Sequence, residues 1–230
     1  MEKRDKIIVA LDFDDQGKAL EIVNKLKGKL NFFKIGSHLF TKYGPSIVKE
    51  VVSLGGEVFL DLKFHDIPNT VEGASKSACS LGVKIFNVHA SGGKRMMEAA
   101  AKAAGAFKNR PLVLAVTVLT SMSDDDLGEC GIRENVNEHV VKLAILAKQS
   151  GLDGVVASAH EIELIKAECG KDFVVLSPGI RPVWSDKDDQ KRIVTPREAF
   201  EKGANYIVIG RAITKASDPV KAADRILEEF

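Results

Sequence analysis

The sequence predicts an α/β protein built as a single TIM-type (β/α)8 barrel, and three observations carry that prediction. Eight short β-rich runs recur along 230 residues, amphipathic stretches separate them, and polar or glycine turns stand between the two kinds of segment. Strict β/α alternation implies parallel strands joined by right-handed crossovers. Eight such units in this length suit a barrel. An open doubly wound sheet is the structural alternative, but it usually has fewer strands, and no GxGxxG follows the first run.

The predicted strands are 6–12 (KIIVALD), 31–36 (NFFKIG), 57–63 (EVFLDLK), 84–90 (KIFNVHA), 112–119 (LVLAVTVL), 154–158 (GVVAS), 173–177 (FVVLS) and 206–210 (YIVIG). Helical patterning follows in GKALEIVNKLKG, PSIVKEVVSLGG, VEGASKSACSLG and VNEHVVKLAILAKQSG, several closing on glycine as helix C-termini often do. DPVKAADRILEEF supplies the eighth helix. No linker or low-complexity segment divides the chain. Residues 1–230 therefore read as one domain, with a mobile loop near 181–192 on the side of strand 7.

Composition removes several function classes. Hydrophobic residues make up 45% and charged residues 28%, as in ordinary globular proteins. A formal net charge of +1 argues against nucleic-acid binding through an overall basic field. No apolar run approaches the roughly 20 residues needed to cross a bilayer. The start, MEKRDKIIVALDFDD, lacks a signal-peptide pattern. Cys79, Cys130 and Cys169 show neither metal nor disulfide spacing, which predicts a reducing, cytoplasmic setting.

Barrel chemistry belongs at the carboxyl ends of the strands. Strand 1 ends in Asp12, strand 2 carries Lys34, strand 3 carries Asp61 and Lys63, and Asp66 follows in the loop. Residues two apart on a strand share a face. Asp61 and Lys63 are thus expected on the inner face, with Leu60 and Leu62 against the outer helices. Neighbouring strands lie about 4.8 Å apart, so the order Asp12, Lys34, Asp61, Lys63, Asp66 alternates in sign across adjacent strands. Each contact at ~4 Å and an effective dielectric of ~20 is a Coulomb term of ~4 kcal/mol before desolvation. Each charge taken singly also fits a helix cap, a rim lysine or a solvated strand end; the combination at one predicted end favours a site.

Barrels often bind phosphate with the loops after strands 7 and 8. Here those loops read SPGIRP and IGRAIT. Gly179 and Gly210 allow close backbone approach, and Arg181 and Arg211 offer planar forks for phosphate oxygens. SGGKR lacks the rest of a phosphate loop and reads as a helix start. Five histidines are present, and His89 ends strand 4. Lysines occupy the comparable places on strands 2 and 3, which disfavours a dication, so no metal is expected.

Taken together, VALDFDD, FFKIG, DLKFHDIPNT, NVHASGG, TVLTSM, SPGIRP, DDQKR and IVIGRAIT resemble the bacterial orotidine 5′-monophosphate decarboxylases over nearly the whole chain. The resemblance implies decarboxylation of orotidine monophosphate to uridine monophosphate in pyrimidine synthesis, with no metal or organic cofactor, by a homodimer. It implies that Asp12 and Lys34 hold the ribose hydroxyls, that Asp61 orients the lysines and that Lys63 protonates C6. Thr120 would contact the pyrimidine, and Gln190 would bridge base and phosphate. Arg181, Gly210 and Arg211 would bind the phosphate. Asp66, Ile67 and Thr70 would reach into the partner's site. One departure is Trp184, a bulky residue where a smaller one is expected. The metal-dependent sugar-phosphate relatives of this family, 3-keto-L-gulonate 6-phosphate decarboxylase and hexulose phosphate synthase, would call for an acidic residue in place of Lys34.

Overall fold

A computed structural model describes residues 2–184 and 194–229. The strands are β1 (Ile7–Ala10), β2 (Phe32–Gly36), β3 (Glu57–Phe64), β4 (Ile85–His89), β5 (Leu112–Val116), β6 (Gly154–Val156), β7 (Val174–Ser177) and β8 (Tyr206–Ile209). All neighbouring pairs are parallel, and β1 pairs with β8, which closes the barrel in the order β1 to β8. Every predicted strand is present, most trimmed by a residue or more at one or both ends. The fifth loses three residues at its carboxyl end: the strand ends at Val116 and Thr120 is left in the following turn.

Among the described residues the α-helices are α1 (Gln16–Leu26), α2 (Ser37–Tyr43), α3 (Pro45–Ser53), α4 (Pro68–Ser80), α5 (Lys94–Gly105), α6 (Asp124–Glu129), α7 (Val136–Gln149), α8 (Ile162–Cys169), α9 (Pro196–Glu201), α10 (Arg211–Thr214) and α11 (Pro219–Glu228). The sequence dictates their ends. Asp15 caps α1 by accepting from Lys18 N–H, and the buried face Ala19, Ile22, Val23, Leu26 follows the helical repeat. Pro68 opens α4, where its missing N–H costs nothing. The short helix α2 falls outside the predicted helical stretches. Leu39 is buried in the core with Phe40 and Tyr43 packed against it, and polar contacts add to this: His38 Nε2 lies 2.8 Å from Asp14 Oδ1, and Lys42 and Tyr43 both donate to the Asp14 carbonyl.

Alternation sorts the core into two layers. Inward residues such as Ile8, Phe32, Phe59, Leu114, Leu176 and Tyr206 fill the barrel, with Phe32 and Tyr206 meeting edge to face at 5.9 Å. Their neighbours in sequence, such as Ile7, Phe33, Leu60 and Val175, pack outward under the helices. Fully burying each such side chain stabilises the fold by about 1.5–3 kcal/mol. The inward positions change character along the strands. Phe59 gives way to Asp61 on β3, Phe32 to Lys34 on β2, and Ile85 to Asn87 and His89 on β4. The apolar plug therefore sits at the amino end and the polar groups at the carboxyl mouth. No helix among the described residues is long and apolar enough to cross a membrane.

Candidate active site

The site is assembled from β1, β2 and β3 on one side of the mouth. Lys34 Nζ lies 3.0 Å from Asp12 Oδ1 and 3.6 Å from Asp61 Oδ2. Lys63 Nζ lies 2.7 Å from Asp61 Oδ1. The four charges thus form one continuous chain, Asp12–Lys34–Asp61–Lys63, in the predicted order of sign. The Lys34 and Asp61 side chains are only 12% and 13% exposed, so their charges are weakly screened, whereas Asp12 at 59% opens to solvent.

Packing fixes this geometry. A methyl group added at Gly36 would lie 3.0 Å from Lys34 Nζ and 3.7 Å from Asp12 Oδ1, so the absence of a side chain at the end of β2 leaves the space the ion pair occupies. On β3 the ladder with β4 slips: Leu60 pairs with Phe86 and Phe64 with Val88, four steps against two. Within this bulge Lys63 has φ of 53°, the only positive φ outside glycine among the described residues. A left-handed lysine costs roughly 1–3 kcal/mol and persists only where its surroundings hold it.

Asp66 lies beyond the bulge and is exposed, its carboxylate accepting from Ile67 N–H at 2.6 Å. No ion pair joins it to Lys63 among the described residues of this single chain. Ile67 is 66% exposed, an unusual setting for an isoleucine, and Thr70 is exposed in the first turn of α4. Thr120 is exposed beyond β5. Gln190, together with the part of the expected mobile loop at 185–192, lies outside the described residues.

The other side of the mouth is a cavity of 410 Å³ that joins Asp12 and Lys34 to Gly179, Arg181, Gly210 and Arg211. Gly179 has φ of 75°, a conformation that bends the β7 loop over the opening and favours glycine. Lys215 and Trp184 also line the cavity. Sequence reasoning missed Lys215, which lies one turn beyond Arg211 and so faces the same opening. Lys34, Arg181, Arg211 and Lys215 against Asp12 make the cavity suited to an anion. Trp184 donates its indole N–H to Glu229 Oε1 at 3.0 Å, and Arg225 stacks over its ring at 4.1 Å. The unexpected tryptophan thereby ties the β7 loop to α11. Burial pushes the Glu229 carboxyl up, partly offset by the Trp184 hydrogen bond and the Arg225 charge.

His89 stands at the same mouth with its ring 5.4 Å from that of His65. Burial, then His65 and Lys63, hold its pKa below the usual value against the opposing charge of Asp61, which favours the neutral imidazole. Among the described residues no group of three or more His, Cys, Asp or Glu side chains is arranged to hold a metal ion.

A closed parallel barrel with an acid–base chain and an anion-favouring cavity at one mouth defines a TIM-barrel enzyme. Comparison with known proteins narrows the class. The profile of the orotidine 5′-phosphate decarboxylase / HUMPS family matches residues 5–226, and the chain belongs to that family. It is 51% identical to the orotidine 5′-phosphate decarboxylase of Syntrophotalea carbinolica, covering all of this chain and 96% of that protein. It is 52% identical to that of Shewanella sediminis, covering 96% and 94%. The crystal structure of orotidine 5′-phosphate decarboxylase from Lactobacillus acidophilus superposes with a TM-score of 0.87 at 40% identity, covering 98% of this chain and 99% of that one.

Proposed function

We propose that the protein decarboxylates orotidine 5′-monophosphate to uridine 5′-monophosphate, in the cytoplasm and without a cofactor. The observation that carries this reading is the Lys63 ammonium held on Asp61 and linked through Lys34 to Asp12, the last two also lining the cationic cavity. In the metal-dependent branch of the family an acid would replace Lys34; here the ammonium fills that place.

The chemistry follows from the charges. The bond from C6 to the carboxylate breaks with its electron pair left on C6, and carbon dioxide departs. No adjacent carbonyl can take up that pair directly. The positive charge of Lys63 stabilises it as it develops, and an Nζ proton of Lys63 then moves to C6. Lys63 recovers its proton from solvent. Asp61 keeps the ammonium charged and aimed. Asp12 and Lys34 hold the ribose hydroxyls, Thr120 contacts the base, and Gln190 bridges base and phosphate. Arg181, Gly210 and Arg211 take the phosphate, whose binding energy helps to close the loop near 181–192 over the substrate. The active form is a homodimer in which Asp66, Ile67 and Thr70 of one chain complete the partner's site. Two observations support that arrangement: the exposure of Ile67, and an Asp66 carboxylate whose hydrogen bond is to a main-chain N–H and not to a cation among the described residues.

The test is the ultraviolet absorbance change on adding orotidine monophosphate, with and without a chelator. Turnover that persists in chelator is expected. No absorbance change sinks the reading, and turnover abolished by chelator moves the protein to the metal-dependent branch.

A further inference from the structure

The inward face of β4 carries a polar group to which the proposed chemistry gives no part. Asn87 is wholly buried, between Ile85 and His89 on that face. Its register partner on β5 is Leu114, an apolar barrel residue. A buried primary amide is unfavourable unless its hydrogen bonds are made. Here both ends are used: Oδ1 accepts from Lys63 N–H at 2.8 Å, and Nδ2 donates to Asp61 Oδ1 at 2.7 Å. The orientation of the amide is fixed chemically, because a main-chain N–H only donates and a carboxylate only accepts.

These two bonds span the bulge of β3. The slip between the Leu60–Phe86 and Phe64–Val88 pairs leaves Asn87 as the one β4 residue opposite Asp61, Leu62 and Lys63. The left-handed backbone of Lys63 is held there by an amide, not by the strand ladder. Asp61 Oδ1 receives Asn87 Nδ2 and Lys63 Nζ at the same 2.7 Å, while Oδ2 faces Lys34. A single side chain thus grips both the main chain that carries the ammonium and the carboxylate that orients it.

We infer that Asn87 is a positioning residue for the decarboxylation, holding Lys63 in its bulged conformation and Asp61 in register so that the ammonium is aimed at the reacting carbon. This inference rests on the assignment of Lys63 as proton donor. It requires that loss of the amide damage proton delivery at C6 while leaving nucleotide binding, anchored across the mouth, intact.

The parent, Asn87→Ala and Asn87→Asp are compared. The aspartate variant keeps the volume and the acceptor for Lys63 N–H, but removes the donor and sets a second carboxylate against Asp61. Three quantities are read: kcat on orotidine monophosphate, Kd for uridine monophosphate, and entry of solvent deuterium at C6 of bound uridine monophosphate by NMR. In both variants kcat and C6 exchange should fall together by about 100-fold or more, with Kd for uridine monophosphate within about threefold of the parent. Turnover within about threefold of the parent overturns the inference. So does a loss of kcat with unchanged exchange, a parallel loss of nucleotide affinity, or loss of the folded state in both variants. A parent without turnover removes the functional reading and this inference with it; an active parent with unaffected variants removes the inference alone.

Discussion

Lys63 and Asp61 stand two residues apart on β3, and the bulged, left-handed backbone at Lys63 lets its ammonium meet Asp61 Oδ1 at 2.7 Å. Truncating Lys63 to alanine removes the proposed proton and the proposed stabilising charge together. Lys63→Ala should fold, since Asp61 retains Asn87 and Lys34 as partners. Its kcat should fall by about 10⁴-fold or more, the combined scale of a lost general acid and a lost charge stabiliser. Circular dichroism and the absorbance assay check both halves. Near-normal turnover would take Lys63 out of its role.

Among the described residues Asp66 makes no ion pair within its own chain, which is what a residue contributed across an interface would show. Lys63→Ala and Asp66→Ala chains, each inactive alone, should regain activity when mixed, because a mixed dimer contains one site free of both substitutions. Activity after subunit exchange, with exchange demonstrated separately by tagged chains, is the measurement. Failure to regain any activity would argue against a shared site.

The cationic cavity lies on the far side of the mouth from Lys63. Binding energy gathered there can be spent at the reacting carbon only if phosphate and base are held at once. Orotidine lacking phosphate should therefore show a lower kcat as well as a weaker KM. Arg211→Ala should lower kcat/KM for the phosphorylated substrate by about 100-fold, in the range of a lost charge-assisted contact, and affect the unphosphorylated one far less. Equal maximal rates with and without phosphate would count against this division of labour.

Gly36 has φ of −91° and ψ of 177°, which alanine adopts freely. The close approach a methyl group would meet there is to the Lys34 ammonium, the far end of a flexible side chain. Gly36→Ala should therefore leave the melting temperature nearly unchanged and raise KM by about tenfold, as expected when a positioned contact is displaced by a few tenths of an ångström. A large loss of stability would show that the backbone, not the lysine, yields.

Glu161 is 7% exposed, with Ser158 N–H donating to its carboxylate at 2.8 Å. Burial raises its pKa above the ordinary 4.5, and the Ser158 hydrogen bond only partly offsets this. A raised folded-state value means that the native state favours the protonated form. The associated stability is present below about pH 4.5 and is lost as pH rises through the folded value. Glu161→Gln keeps an acceptor for Ser158 and has no charge to bury. The difference in melting temperature, variant minus parent, should grow in the variant's favour as pH is raised from 4 to 7. A difference independent of pH would refute the assignment.

Much of the fold and of the site is legible in the order of residues alone. The strands stand out because parallel barrel strands are apolar on both faces, so IIVA, VVL and YIVI form continuous runs. The charged chain is legible because Asp12, Lys34 and Asp61 interrupt those runs at corresponding ends. Three features are hidden for physical reasons. Helix α2 is seven residues long, too short for Leu39, Phe40 and Tyr43 to display a helical repeat. Asn87 lies inside an apolar strand, where its role depends on a slip in register that no periodicity reveals. Trp184 finds its partners on and just beyond α11, more than forty residues away, through a ring contact and one hydrogen bond.

The pairing of β1 with β8 brings the first and last strands side by side, Val9 against Ile209. Asp12 and Arg211, separated by almost the entire chain, consequently border one cavity. A ribosome must therefore release nearly the whole polypeptide before the lysines and the arginines can meet. Nascent or truncated forms ending before β8 would hold the acid–base groups with no Arg211 wall beside them. Turnover during refolding would then report the joining of the two edges, and not the earlier appearance of helix or strand.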